Sequence, residues 1–485
     1  MKLAWWRAAA PLGVWLVLVL APLPAGLEGT AWSYFALFAA VIVGLILEPL
    51  PAAAIGLIGV ALAAVSRLVD SNPAASIAWA LSGFQDRTVW LIFGAFVFSI
   101  GYSRTGLGRR VALWLVRLLG GRTLGRGYAI ALADLALAPG TPSNTGRSAG
   151  TIFPVIRSIP GLYGSEPGPS ARGIGSYIMW TAFAATAVTS SMFLTALAPN
   201  AAALALVKQA THLEITWTQW LAGFWPIGVL LLALVPLLVY VIYPPGIKTS
   251  EEVPAWATQE LRRMGPIGRP EKVMAALVGL AIFLWIVGSN RDITLPLVGS
   301  QFIDATGVVL LVNALMLVAR VIDWDDILGN KDAWNVLMWF ATLVALADGL
   351  NRVGFVTWVA RGLAAMVAGI PPFTVMAILV AFFFFVHYMF ASLTAHAVAV
   401  LPVLLATGLA VPGLPVKVFA LLLVYSLGMM GVLSPYATGP APVYYGSGYV
   451  SRRDFWALGL VFATIYLVTL LAIGIPYLTA ANPLG

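Results

Sequence analysis

Thr141-Pro142-Ser143-Asn144-Thr145-Gly146-Arg147 lies deep inside an otherwise apolar stretch of this chain. The seven residues combine small hydroxyls, an amide, a helix breaker and a permanent cation, a costly set to place in hydrocarbon. The same logic returns as Ser392-Leu393-Thr394-Ala395-His396, with Ser392 placed 249 residues after Ser143. In both copies a Ser-x-Thr is followed, two residues after the threonine, by a basic side chain. Two polar motifs at matching positions of two halves describe a binding site built on an internal repeat.

Around these motifs the 485-residue chain is 61% hydrophobic and only 9% charged. Apolar runs of such length require a bilayer. They are continuous, where a membrane β-barrel would show short alternating segments. The fold class is therefore an all-α polytopic membrane protein. Net charge is +8, but the arginines sit in short loops between apolar runs, where they set topology and do not bind nucleic acid. Cysteine is absent, which excludes disulfides and thiol chemistry. The histidines are His212, His387 and His396, and the chain has no HExxH, Walker A or dinucleotide fingerprint. Nothing here argues for a metal, a cofactor or an enzyme.

Gly127 to Pro160 is apolar for about a dozen residues on either side of the break, and each arm is too short to cross a core of roughly 30 Å. A re-entrant hairpin fits, since broken backbone at membrane depth is tolerated only where it is buried or lines a cavity. Upstream, Arg104, Arg109, Arg110, Arg117, Arg122 and Arg126 occur with no acid among them, which marks a cytoplasmic loop or an interfacial helix. Lys2 and Arg7 precede an apolar run from about Pro11 to Leu27; a cleaved signal peptide is the alternative to a first span there. Ser66 to Arg87 reads as a polar stretch. Downstream, a segment at 174–208 is interrupted at Ala198-Pro199-Asn200, and one at 416–450 is broken by Ser434-Pro435-Tyr436-Ala437-Thr438-Gly439-Pro440. A second short-armed hairpin covers 372–410. Arg104-Thr105-Gly106 and Arg352-Val353-Gly354 lie 248 residues apart, as do Gly101 and Gly349. About eleven spans and two hairpins, with most Lys and Arg on the starting side, place the N-terminus in the cytoplasm and the C-terminus outside. The two hairpins then open to opposite sides, which is an inverted-repeat transporter.

A hairpin tip at the midplane exposes backbone N–H groups at the positive end of a new helix, and these attract anions. Ser143, Asn144 and Thr145 add hydrogen bonds, and Arg147 adds charge. The second tip offers Ser392, Thr394 and His396. Two such tips would hold a molecule with an anionic group at each end, for which a dicarboxylate is the natural fit. Plainer readings stand beside these. A Ser-x-Thr can be helix-packing glue; Arg147 can pair with Asp134 on its own hairpin; His396 can be a neutral, hydrogen-bonded core residue; His387 reads as structural. The Phe382–Phe385 run reads as lipid-facing or core, and Asp348 with Arg352 as an i,i+4 pair.

At Ala138-Pro-Gly-Thr-Pro-Ser-Asn-Thr-Gly-Arg147, Phe153-Pro-Val-Ile156, His387-Tyr-Met-Phe-Ala-Ser-Leu-Thr-Ala-His396 and Pro435-Tyr-Ala-Thr-Gly-Pro-Ala-Pro-Val-Tyr-Tyr-Gly-Ser-Gly-Tyr449, the chain resembles the divalent anion:sodium symporter family over nearly its whole length. Within that family it is similar to the bacterial branch of citrate:succinate, tartrate:succinate and 2-oxoglutarate:malate antiporters. The resemblance implies a scaffold domain, often dimerising, and a transport domain moving as an elevator. It implies substrate between the hairpin tips with the unwound segments lining the site, which adds Pro199, Asn200, Thr438, Gly439 and Pro440 to the binding residues. On that pattern residues 1–124 and 273–370 are scaffold, 125–243 and 371–485 are transport segments, and 244–272 is a cytoplasmic linker. Sodium-coupled members carry Ser-Asn-Thr in both hairpins with sodium beside each. Here the second motif lacks the Asn, and Arg147 and His396 stand where sodium's charge would be needed. The expectation is that these fixed cations replace sodium. An empty site carrying them crosses a low-dielectric layer at a cost on the order of several kcal/mol per uncompensated ion. Bound dicarboxylate cancels that charge, which is the condition for obligatory exchange. The expected function is sodium-independent, elevator-type antiport of succinate, malate, fumarate, 2-oxoglutarate or related acids by a homodimer in the cytoplasmic (inner) membrane. The alternatives are a sodium- or proton-coupled symporter on the same fold and, in a different class, an anion channel.

Overall fold

The computed structural model describes residues 5–249, 252–288, 293, 299, 300 and 302–481. Lys2, Glu251 and the C-terminal end, on which the topology reading drew, lie outside the described residues. Regular structure among the described residues is helical, apart from isolated bridge residues, among them the antiparallel pair Arg122 and Thr249. The chain runs through α1 (Trp5–Leu20), α2 (Gly29–Leu47), α3 (Ala52–Val65), α4 (Pro73–Leu81), α5 (Arg87–Thr105), α6 (Leu107–Leu119) and α7 (Thr123–Leu137) to the first broken motif. After it come α8 (Phe153–Ile156), α9 (Gly175–Met192), α10 (Ala198–Thr211), α11 (Trp217–Ile242), α12 (Glu252–Arg263), α13 (Arg269–Phe283), α14 (Ala305–Val318) and α15 (Trp324–Gly329). The remainder is α16 (Lys331–Arg352), α17 (Phe355–Met366), α18 (Pro372–Val386), α19 (Leu393–Leu409), α20 (Val416–Met430), α21 (Ala441–Gly446), α22 (Arg452–Thr469) and α23 (Ile475–Ala481).

Among the described residues, six helical stretches are long and apolar enough to cross a membrane: Gly29–Leu47, Trp217–Ile242, Arg269–Gly288, Lys331–Arg352, Pro372–Met389 and Arg452–Ala481. Pro372–Met389 is the first arm of the second hairpin, and at 18 residues it is longer than the sequence reading had it. Helices α1, α3, α14, α19 and α20 are apolar but shorter. Large apolar side chains such as Leu12, Val17, Val241 and Val318 are exposed. In water such a surface aggregates; against lipid it is matched to its solvent. The stretch read as polar, Ser66 to Arg87, contains α4. Asn72 caps that helix by accepting from the backbone N–H of Ala74 and Ala75 at 2.9 and 3.2 Å, with Pro73 in the first position, a combination that nucleates a helix in polar sequence.

The chain divides into two compact units. One is built from the chain up to Phe93, from Ala201–Glu214 and from Asn330–Val424. Its centre is α16 packed on α3. The approach depends on Gly56, where a Cβ would collide with Thr342 of α16; Gly59 admits α2 in the same way, since a Cβ there would strike Val41. Small residues let membrane helices meet closely, where lipid supplies no hydrophobic drive to hold them together. The Tyr34 hydroxyl of α2 donates to the Leu346 carbonyl of α16 at 2.7 Å.

The other unit comprises Gly94–Asn200, Ile215–Gly329 and the chain from Tyr425 onward. Its centre is α9, every residue of which is buried, packed on α7 and α11. Alanine, serine and threonine dominate the Ala182–Ser191 half of that helix, again the small residues of close packing. The polar linker region is not a free tether. Helix α12 packs on α6, and Arg109 and Arg110 of α6 bind Glu260 and Glu271 at 2.9 and 2.5 Å.

The two Arg-x-Gly sequences perform one job twice. Each ends a long helix, α5 or α16, and each glycine caps the next helix from the left-handed region, Gly106 at φ 73 and Gly354 at φ 78. Glycine reaches that conformation without penalty. The helix so capped packs on an arm of the hairpin that follows: α6 on α7, and α17 on α19.

Candidate functional site

The first hairpin breaks where proline and glycine interrupt the ladder. Helix α7 gives way to a 3-10 turn, Ala138–Gly140, and the chain resumes as a wide π-helical segment, Thr145–Ile152. Such segments are rare and concentrate at functional positions. The Thr141 hydroxyl folds back on the Leu137 carbonyl, and the Ser143 hydroxyl accepts from the Gly146 N–H at 3.1 Å. Asn144 Nδ2 donates to Thr438 Oγ1 at 2.8 Å. The Gly439 backbone lies so close to the Thr145 hydroxyl that a Cβ there would strike it. Ser143 is half-buried, while Thr145, Gly146 and Gly439 are exposed, so this tip presents an open polar face.

The segment between α9 and α10 completes that cluster. Unwinding occurs at Phe193–Leu197, earlier than the Ala198-Pro199-Asn200 expected from sequence. Pro199 sits in the first turn of α10, where its missing N–H costs nothing, so it starts a helix and does not break one. The Ala198 N–H donates to the Pro142 carbonyl at 2.8 Å, and the Thr195 hydroxyl to the Pro139 carbonyl at 2.6 Å. Asn200 is fully buried; its Nδ2 donates to the Ser190 and Phe193 carbonyls at 2.8 and 3.2 Å. Its Oδ1 has no hydrogen-bond partner among the described residues.

Arg147 is fully buried and pairs with Asp134, Nε to Oδ2 at 3.2 Å. Its Nη1 donates to the Thr141 and Ala196 carbonyls at 2.9 and 2.8 Å, and its Nη2 to Ser190 Oγ and Thr189 Oγ1 at 3.1 and 3.4 Å. All five guanidinium N–H groups are thereby engaged. Thr186 donates to the Asp134 carboxylate at 3.0 Å, and Thr189 donates to it as well. The guanidinium does not stand free in the tip. It ties the hairpin to the unwound segment through one carbonyl from each, with its charge set against Asp134. The pairing was legible from sequence, because both residues lie on one hairpin. The hydroxyls of Thr186, Thr189 and Ser190 were not singled out, although their i, i+3, i+4 spacing puts them on one face of α9. Ser148 and Tyr444, whose hydroxyls meet at 2.9 Å, were also missed.

In the other unit, the second hairpin turns through a 3-10 segment, His387–Met389, and Ser392 caps α19 by accepting from the Ala395 N–H at 3.3 Å. Ser392 and Thr394 are half-buried and His396 is fully buried. His387, read as structural, is also fully buried, and its Nδ1 lies 3.0 Å from Nδ1 of His396. The phenylalanine run splits: Phe382 is exposed, and Phe383 packs edge-on to His396 with ring centres 4.4 Å apart. Asp348 and Arg352 form the expected pair at 2.6 Å.

Apolar helices with lipid-matched surfaces, interrupted by polar broken hairpins, define a polytopic helical membrane transporter. The family model for the sodium:sulfate symporter transmembrane region matches residues 2–480. The chain is 47% identical over 484 residues to proteins named L-tartrate/succinate antiporter from Shigella sonnei (strain Ss046), Shigella flexneri and Escherichia coli (strain K12), covering 97% of this chain and 97% of each relative. It belongs to the divalent anion:sodium symporter family. Its fold is similar to the crystal structure of the YdaH transporter of Alcanivorax borkumensis, with a TM-score of 0.61 over 86% of this chain and 91% of that one at 16% identity.

Proposed function

We propose that this protein is a secondary transporter exchanging dicarboxylates across the cytoplasmic membrane without sodium. The observation that carries the reading is the Arg147 guanidinium bridging the carbonyls of Thr141 and Ala196. Unwound carbonyls of this kind coordinate alkali ions in coupled transporters. A tethered cation already occupies them here, so a free ion has nothing to add. The names of the 47%-identical relatives support exchange of C4 acids such as succinate and L-tartrate. Substrate contact is assigned to Ser143, Asn144, Thr145, Asn200, Thr438 and Gly439, with Pro199 and Pro440 shaping the backbone, and to Ser392 and Thr394 of the second tip. His396 is assigned the second positive charge, facing the substrate when it is bound.

Residues 1–124 and 273–370 act as scaffold, 125–243 and 371–485 travel as the elevator, and 244–272 joins the halves. This division states which segments move together, a different matter from which pack densely in one conformation. The N-terminus is cytoplasmic, the C-terminus external, and the protein a homodimer.

The test uses purified protein in proteoliposomes. Labelled succinate uptake is expected to require internal succinate or L-tartrate and to be indifferent to sodium. Sodium-driven accumulation into empty vesicles would replace this reading with a symporter.

A further inference from the structure

We propose that His387 and His396 form a shared site for a single proton, taken up when a dicarboxylate binds. This rests on the dicarboxylate reading above and deepens it. Both imidazoles are fully buried, with their Nδ1 atoms 3.0 Å apart. At that distance one nitrogen donates and the other accepts. In the neutral pair one ring therefore carries its proton on Nδ1 and the other on Nε2. One added proton goes to the vacant Nε2 of the first ring, and the shared bond survives. A second would place hydrogens on both Nδ1 atoms facing each other, and the bond would break. The capacity is one proton, drawn from solvent and returned to it, with no covalent change besides the N–H bond. The open position is Nε2 of His396, buried and without a hydrogen-bond partner among the described residues.

The position of the pair couples the proton to an anion. His396 lies at the start of α19, whose N-cap is Ser392. A helix start is its positive end, so a cation there meets the dipole as well as the cost of burial. A carboxylate held at Ser392 and Thr394 offsets both. Proton and dianion then favour each other's binding, as linkage requires.

The elements packed around α19 supply these other charged and titratable groups. On α16, Asp348 and Arg352 bind each other at 2.6 Å, and Lys331 and Asp332 are exposed at its start. Helix α17 carries the exposed Arg361, and Tyr34 of α2 donates to the Leu346 carbonyl. Beyond α2, Glu48 lines with Arg7 a cavity of about 240 Å³ that also reaches Ser392 and Ala395. Helix α18 has no charged or titratable side chain. Since Asp134 offsets Arg147, the histidine pair is the adjustable charge. A dianion binds with the proton and a singly ionised acid without it, so the loaded carrier keeps one charge for both.

Calorimetric titration of the full-length protein with succinate, in buffers of different ionisation enthalpy near neutral pH, counts the protons. About one proton per succinate is expected, with apparent affinity weakening about tenfold per pH unit on the alkaline side. The double replacement His387→Asn, His396→Asn is expected to abolish the buffer dependence; if that variant does not fold, the wild-type count decides alone. Wild-type uptake of none or of two, or one proton still taken up by the double variant, overturns the shared site while leaving dicarboxylate transport standing. Failure of wild type to bind either succinate or L-tartrate would remove both.

Discussion

Arg147 and Asp134 depend on each other for stability. Their side chains are 0% and 2% exposed, and removing either leaves a buried charge uncompensated, at a cost of about 3–5 kcal/mol. Arg147→Met and Asp134→Asn are each expected to depress the unfolding midpoint in detergent strongly. Joint replacement is expected to recover most of the loss, because a neutral pair buries no lone charge. Strictly additive losses would mean that the carbonyl bonds to Thr141 and Ala196, and not the ion pair, hold the hairpin. Tyr444→Phe keeps the ring and removes the hydroxyl, with its 2.9 Å contact to Ser148 Oγ and its 3.4 Å bond to the Ser148 carbonyl, and is expected to cost about 1 kcal/mol.

Glycine sets the helix contacts and caps on which both hairpins rest. Gly56 admits α3 to α16 because nothing larger clears Thr342. Gly56→Leu is expected to destabilise by about 1–3 kcal/mol through overpacking, read as a lower unfolding midpoint and a smaller folded fraction on size exclusion. The caps invite a paired test. Gly106→Ala and Gly354→Ala each force a Cβ into the left-handed region, at about 1–2 kcal/mol. Similar losses in the two variants would support one role performed twice; a loss at only one would confine the cap to that half.

For the molecule as a whole, charge at the chain's polar rim gives a pH signature separable from transport. Burial works against ionisation of the Asp326 carboxyl, but the hydrogen bonds from Arg104 and from the Asp323 backbone outweigh it and hold the group below the usual carboxylate range. A depressed carboxylate contributes stability that is present above its unfolded value of about 3.9 and is lost as pH falls through its folded value. Wild-type stability is therefore expected to drop in acid more steeply than that of Asp326→Asn, with equal slopes arguing against the clamp. Native mass spectrometry in detergent tests the homodimer, and a monomer at all concentrations would count against it.

Much of this protein was legible in sequence because the bilayer enforces a coarse rule. Apolar runs must be helical, and any polar interruption must be buried or line a cavity. That rule exposed both Ser-x-Thr hairpins, the loop at Ser434–Pro440, the repeated Arg-x-Gly and the pairing of Arg147 with Asp134, all of them local in the chain or periodic along it. Tertiary structure alone decided what those groups touch. Asn144 meets Thr438, and Arg147 reaches the Ala196 carbonyl and the hydroxyls of α9, contacts that depend on how helices distant in sequence are rotated. Pro199 begins a helix where sequence suggested a break, because proline reads the same on either side of a helix start. His387 and His396, nine positions apart, meet because the hairpin turns between them, and in a straight helix that spacing would hold them far apart. Helical period and hydropathy determine which segments enter the membrane; the rotation and close packing of those segments determine which polar groups find one another inside it.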